Sequence, residues 1–158
     1  MPPPTIRPAT SADVSAIQAM ICELAEFEKM SDEVSSTEAD LNGALFGESP
    51  CAEAIVAELD GQAVAFALFV TNYSTFVGRP GLYLEDVFVK PDHRGKNIGT
   101  QILRELATIA HGRGYGRMDW TVLDWNQRAI DFYENHGAEV LHEWRLVRTD
   151  REAIRRMR

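Results

Sequence analysis

The 158-residue chain is poor in the features that mark several large classes of protein. Two cysteines, Cys22 and Cys51, make neither a disulfide framework nor a metal pattern, so a reduced, cytoplasmic setting is expected. No apolar run approaches the ~18–20 residues that a membrane span needs. The opening Met-Pro-Pro-Pro-Thr-Ile-Arg-Pro lacks an apolar h-region, so no signal peptide is expected. His93, His111, His136 and His142 show no metal-ligand spacing, and no Ser/His/Asp or Cys/His grouping can be assembled. No metal is therefore expected. Repeats, low-complexity tracts and internal linkers are absent, which suits a single domain over residues 1–158.

Basic residues are also scarce, 16 against 24 carboxylates, for a net charge of −8. Residues 1–60 hold 12 carboxylates against Arg7 and Lys29, whereas residues 61–158 hold 12 against 14 basic side chains. With no basic face to neutralise phosphates, a nucleic-acid partner is not expected, nor is a membrane. An acidic first half suits a cationic substrate; it also serves as a solvated face that keeps a protein soluble. What remains is the composition of a globular domain, 45% apolar and 25% charged. A chain of this length buries roughly two-thirds of its unfolded surface, enough for a core without staples.

The order of elements reads as α/β. Residues 5–9 form a short strand. Ser11 or Asp13 can cap a helix to about Lys29 whose apolar stripe is Val14, Ile17, Ile21 and Leu24. Thr37 and Asp40 make a capping box for a second helix that ends near Gly47. Strands 54–59 and 63–71 meet at Asp60-Gly61, a strong hairpin signal. A strand over 82–90 is followed by a helix from about Gly99 to His111, stopped by Gly112 and Gly114. Residues 117–123 read as strand, 126–136 as a helix closed by Gly137, and 139–148 as a last strand. Helices lying between strands imply at least one parallel pair.

Three segments carry candidate chemistry. Arg94-Gly95-Lys96-Asn97-Ile98-Gly99-Thr100 joins a strand to a helix. Such a loop can aim backbone N–H groups and a helix N-terminus at a phosphate, although it also serves as a plain turn. In Leu82-Tyr83-Leu84-Glu85-Asp86-Val87-Phe88-Val89, two carboxylates interrupt an apolar strand. Alternation puts one on each face, so at least one enters a buried layer and needs a cation, hydrogen bonds or a raised pKa. An edge strand or bulge would instead let both reach water. In the segment from Trp125 to Gly137, Asn126 can cap a helix and shares a face with Ala129, Ile130 and Tyr133. Tyr133 there is either a packed aromatic or a catalytic phenol. Glu28 extends the stripe of Ile17, Ile21 and Leu24 by one turn.

Together these residues resemble the GNAT superfamily of acetyl-CoA-dependent N-acetyltransferases, whose cofactor loop reads [Q/R]-x-x-G-x-[G/A]. Arg94 and Gly99 fit, and Asn97 stands where the family usually has its middle glycine. Asn tolerates the left-handed conformation, so the loop is expected to keep its shape. The blocks 23–30, 82–89, 94–99, 125–133 and 143–146 are similar to the spermidine/spermine N-acetyltransferase group, which includes thialysine acetyltransferases. The hairpin at Asp60-Gly61 and the segment before Trp144 look shorter than in its animal members.

The resemblance implies a GNAT-type mixed, splayed central sheet with helices on both faces, acetyl-CoA as co-substrate and a homodimer. It implies that Val87, Phe88 and Val89 pair with the pantetheine arm, that Arg94 also binds the cofactor, and that Gly95, Lys96, Asn97, Ile98, Gly99 and Thr100 hold the pyrophosphate. Asn126, Gln127, Arg128 and Ala129 would flank the cofactor. Tyr133 matches the general acid and Glu85 the carboxylate that accepts the amine's proton. Phe27, Glu28, Asp86, Glu143 and Trp144, joined by Asp119, Trp120 and Thr121, would line the acceptor site. The implied reaction is direct acetyl transfer to the primary amine of a small cationic acceptor such as a polyamine or diamine. Acetylation of thialysine-like amino acids or of protein amines, and a non-catalytic acetyl-CoA-binding module, are the alternatives. A primary amine of pKa ~10.4 is only about 0.1% neutral near pH 7.4, so a carboxylate must bind the cation and then help remove its proton. Cys22 and Cys51 lie outside every motif, so no acyl-cysteine is expected.

Overall fold

The computed structural model describes residues 2–158; Met1 lies outside the described residues. The chain divides into two compact units, Met1–Trp120 and Thr121–Arg158. The first holds a mixed sheet in the order β1-β2-β3-β4-β5. Its strands are β1 (Thr5–Pro8), β2 (Glu53–Leu59), β3 (Gln62–Ser74), β4 (Arg79–Val89) and β5 (Met118–Asp119). The first four pair antiparallel and β5 joins β4 in parallel. The β2–β3 hairpin turns where expected. Asp60 and Gly61 both take positive φ, 50° and 76°, the two-residue turn whose twist matches that of paired strands.

Two helices cover one face. The α1 helix (Val14–Phe27) buries Val14, Ile17 and Met20 against Leu41 and Leu45 of α2 (Glu38–Phe46) and against Val56, Phe66, Leu68 and Phe88 of the sheet. The capping box of α2 forms as expected: the Asp40 N–H donates to Thr37 Oγ1 at 3.2 Å, and the Thr37 N–H to Asp40 Oδ2 at 2.9 Å. At the entry to α1, Asp13 takes the N-cap position, one of the two expected, but its side chain makes no capping bond to that helix. A short 3-10 turn over Ser11–Asp13 comes first, with Thr10 at its cap. Asp13 accepts from the Thr10 N–H at 2.7 Å and from both Arg7 Nη groups at 2.8 and 2.9 Å, while Arg7 Nε donates to Glu58 at 2.8 Å.

The α3 helix (Ile98–Gly112) covers the opposite face, burying Ile98, Ile102, Leu103, Leu106 and Ala110. Its C-cap residue Arg113 lies over Phe69, 6.0 Å from the ring centroid. Phe69 follows Leu68, which belongs to the α1 side, and neighbours on a strand point to opposite faces. The mixed sheet with helices on both faces therefore agrees with the expected fold.

Two strand expectations fail. The strand expected over 117–123 shrinks to Met118–Asp119, because its pairing with β4 stops after Leu82↔Met118 and Tyr83↔Asp119. The strand expected over 139–148 does not form. Thr121–Arg158 contains no strand among the described residues, and an isolated segment gains no ladder of hydrogen bonds. That unit consists instead of α4 (Gln127–Asn135), an irregular exposed stretch, and α5 (Arg151–Met157). The unforeseen α5 is capped by Asp150, whose side chain accepts from the Ala153 N–H at 2.8 Å.

The hydrogen bonds from Arg7 hold the buried Asp13 carboxyl below its ordinary range, outweighing desolvation. A depressed native pKa contributes stability that is complete above about pH 4 and is lost as pH falls through the native value. Asp13→Ala is therefore expected to lower the unfolding free energy by about 2–3 kcal/mol at pH 7 and by clearly less at pH 3. Urea denaturation at both pH values checks this; equal losses would assign the effect to packing alone.

Candidate functional site

The register of β4 against β3 slips once. Leu68 pairs with Asp86 but Phe69 with Leu84, so Glu85 is an extra residue with no opposite number. Such a bulge bends the strand and breaks its alternation. Paired residues share a face, so Asp86 and Phe88 lie with Leu68 and Phe66 on the α1 side, whereas Leu84 lies with Phe69 on the α3 side. Simple alternation across Glu85 and Asp86, expected from sequence, therefore does not hold: the faces switch at this step.

The switch turns Asp86 toward the α1 side, half-buried, while Glu85 is exposed. Glu28, expected to extend the buried stripe by one turn, is the C-cap of α1, one residue past its last residue Phe27, and is also half-buried. Burial first, then the negative charges of Glu85 and Glu28, pushes the Asp86 carboxyl up to about 6. Desolvation raises Glu28 as well. Sequence alone left two alternatives, one carboxylate of the 85–86 pair in a buried layer or both in water; the structure has the bulge and still half-buries Asp86.

Beyond Tyr83 no strand pairs with the outer edge of β4 among the described residues. The Lys90 N–H donates to the Val64 carbonyl at 2.9 Å. In an antiparallel pair the hydrogen-bonding residues alternate. Phe88, opposite Phe66, thus bonds toward β3, while Val87 and Val89 turn their backbone groups to the outer edge. The Val89 carbonyl accepts from Arg94 Nε at 2.9 Å, which fits this assignment.

The loop that follows keeps the expected shape. Gly95 has φ 75° and Asn97 φ 64°, so asparagine occupies the left-handed position that a glycine would take. Asn97 stands at the N-cap of α3 without a side-chain capping bond, so its side chain leaves the donors of the first turn to other acceptors. A Cβ built on Gly95 meets nothing within 4 Å, so its positive φ rather than crowding favours glycine there. Lys96 is exposed, Ile98 is buried, and Gly99 and Thr100 form the first turn of α3. Phe27 ends α1 and is 44% exposed. Asp119 is paired with Arg117 at 3.0 Å, and Trp120 follows it, half-buried.

The other sequence-derived residues belong to the second unit. Asn126 accepts from the Ala129 N–H at 3.2 Å and caps α4 as expected. Gln127 donates to Asp131 at 2.7 Å, and Arg128 is exposed. Tyr133 is half-buried, its ring 5.6 Å from that of Phe132. Thr121, Glu143 and Trp144 are exposed, the last two in the irregular stretch. Among the described residues no helix is long and apolar enough to cross a membrane, and no group of His, Cys, Asp or Glu side chains could hold a metal ion.

Comparison with known proteins adds an independent line. The model of the acetyltransferase (GNAT) family matches residues 18–138. A thialysine N-epsilon-acetyltransferase of Bos taurus is 40% identical, over 96% of this chain and 95% of its own. A spermidine/spermine N(1)-acetyltransferase-like protein 1 of Homo sapiens is 35% identical over 94% of this chain and 23% of its own. Among solved structures, an integron cassette protein from the mobile metagenome of V. cholerae superposes with a TM-score of 0.81. It is 26% identical and the match covers 99% and 98% of the two chains.

The raised pKa of Asp86 has a consequence for stability. The native state binds this proton more tightly than the unfolded chain, so stability falls as pH rises from about 4 to about 6. Asp86→Asn is expected to stabilise the protein by about 1–2 kcal/mol at pH 7.5 and to change little at pH 4. Thermal melts at the two pH values measure this; destabilisation at pH 7.5 would mean that the carboxylate is favourably paired.

Proposed function

The chain belongs to the acetyltransferase (GNAT) family, and from this premise we propose that it acetylates the terminal amine of a small cationic acceptor, with acetyl-CoA as donor. The observation that carries the reading is the bulge in β4, which sets the Glu85–Asp86 pair beside an outer strand edge. The family uses acetyl-CoA, and this chain's residues fit such a donor. The N–H and C=O of Val87 and the N–H of Val89 suit an amide-bearing arm. The loop from Gly95 to Thr100, with left-handed Gly95 and Asn97 and a helix start that no Asn97 side chain caps, suits a diphosphate.

In the proposed reaction, Glu28, Glu85 and Asp86 attract the protonated amine. The Glu85–Asp86 pair then takes one proton, a role suited to a carboxylate with a pKa of about 6, which is ionised at neutral pH. The neutral amine attacks the thioester carbon, a C–N bond forms and the C–S bond breaks. Tyr133 gives its proton to the departing thiolate. A phenol near ~10 and a thiol near ~8.5 make that transfer uphill by only about 2 kcal/mol. The second proton, shed by the nitrogen as the amide forms, restores the phenol, so one ammonium proton ends on the carboxylate pair and the other on the thiol. Asn126, by capping α4, sets the first turn of the helix that carries Tyr133. On the family analogy the enzyme works as a cytoplasmic homodimer.

The similarity to thialysine acetyltransferase over nearly the full length of both chains favours an amino acid with an aminoalkyl side chain as acceptor. A second reading, a polyamine, is favoured by the acidic first 60 residues and by the spermidine/spermine-type relative. An acceptor panel with thialysine, spermidine, spermine, putrescine and lysine peptides separates them by kcat/KM. The first reading expects thialysine to lead, and spermidine in the lead would favour the second. Acetyl-CoA binding without turnover of any amine would leave a non-catalytic module.

Tyr133→Phe is expected to keep the affinity for acetyl-CoA and to lower kcat by roughly 10²–10³-fold. A kcat near wild type would make Tyr133 a packed aromatic. Glu28→Gln is expected to raise the amine KM about 5–10-fold with kcat largely kept, because uniform binding is what it removes. Added salt should imitate that variant by screening; a KM indifferent to both would show that Glu28 does not meet the acceptor.

A further inference from the structure

Arg94 opens the anion-binding loop, where a cation invites assignment to a phosphate. Its observed partners point elsewhere. Nε donates to the Val89 carbonyl at 2.9 Å. The guanidinium carbon lies 5.4 Å from the ring centroid of Phe27 and 5.4 Å from that of Phe88. Arg94, Phe27 and Phe88, with Glu23, Glu26 and Pro91, line a cavity of about 220 Å³. Phe27 is the last residue of α1 and precedes Glu28; Phe88 and Val89 end β4, just past Asp86. One side chain thus grips both the strand edge proposed for the donor and the helix end that carries an acceptor carboxylate.

We propose that Arg94 is a positioning residue that couples the donor edge to the acceptor wall. By occupying the Val89 carbonyl it reserves the Val89 N–H and the Val87 groups for the donor's arm. By holding Phe27 it keeps Glu28 near Asp86. Diphosphate binding then rests on the loop backbone and Lys96. The inference builds on the acetyl-CoA reading above and assigns Arg94 a role within it.

The chemistry of the side chains makes the two roles separable. Glutamine places its Nε2 the same number of bonds from Cα as arginine's Nε, so it can donate to the Val89 carbonyl without carrying charge. Lysine keeps the charge but puts a methylene at that position and has no planar face for the rings. A phosphate counter-ion would be replaced better by lysine; a positioning donor would be replaced better by glutamine.

The test compares Arg94→Gln and Arg94→Lys, each checked for folding by circular dichroism and melting temperature. Steady-state kinetics use two donors, acetyl-CoA and S-acetylpantetheine, which lacks the diphosphate and nucleotide. Arg94→Lys is expected to raise KM about 5–10-fold for either donor, the scale of one lost hydrogen bond, with Arg94→Gln closer to wild type for the donors, while both variants, lacking the guanidinium over Phe27, raise the amine KM. Rescue by lysine rather than glutamine, or an effect that vanishes with S-acetylpantetheine, would overturn the proposal in favour of phosphate pairing. An unchanged amine KM in Arg94→Lys would overturn the coupling through Phe27. Failure of the wild-type enzyme to use acetyl-CoA would instead refute the underlying acetyltransferase reading.

Discussion

The single inserted residue in β4 is the constraint on which the site depends. A strand paired in regular register alternates its side chains without interruption, and with it Asp86 would share the α3 side of Leu82 and Leu84. Glu85 has no partner on β3, so the alternation is reset there. Asp86 and Phe88 then face α1, and Phe88 joins the core with Phe66, Leu68, Ile17 and Met20. On the other side of β4, pairing with β5 ends after Tyr83, just before the inserted residue. The local cost of the bulge is offset by the core on both faces.

That arrangement places charge where burial opposes it. Asp86 is raised to about 6 by desolvation and by Glu85 and Glu28, and Glu28 is itself raised by desolvation. Unlike Asp13, which Arg7 and the Thr10 N–H satisfy, this cluster combines partial burial with mutual repulsion. A cation entering beside it relieves that repulsion, the physical basis for proposing an amine as the acceptor. The two carboxylates, Asp13 and Asp86, are shifted in opposite directions by the same factors differently weighted: hydrogen bonds from a cation in one case, desolvation and like charge in the other.

The loop after β4 shows how backbone conformation substitutes for residue identity. Asn97 takes the left-handed φ of 64° that glycine adopts without steric cost, so the turn into α3 is kept although the middle glycine of the family pattern is missing. Arg94, a few residues earlier, is held by the Val89 carbonyl and two aromatic rings, which ties the loop to both β4 and α1.

Much of this was legible in the residues themselves. The Asp60-Gly61 turn, the Thr37/Asp40 box, the Asn126 cap and the left-handed Asn97 are local: each depends on one to four neighbouring residues, whose chemistry is visible in the sequence. The α/β class followed from the order of such local elements. Sequence also sufficed to show that Glu85-Asp86 interrupts an apolar strand. Tertiary structure decided the rest, because it depends on register and partners far along the chain. The slip between Leu68 and Phe69 selected Asp86 as the buried carboxylate. The short pairing with β4 limited β5 to two residues, and the absence of a strand partner left 139–148 irregular despite its strand-like composition. Arg94 met Phe27 across more than sixty residues of sequence, a contact that packing of α1 on β4 brings about and no local pattern encodes.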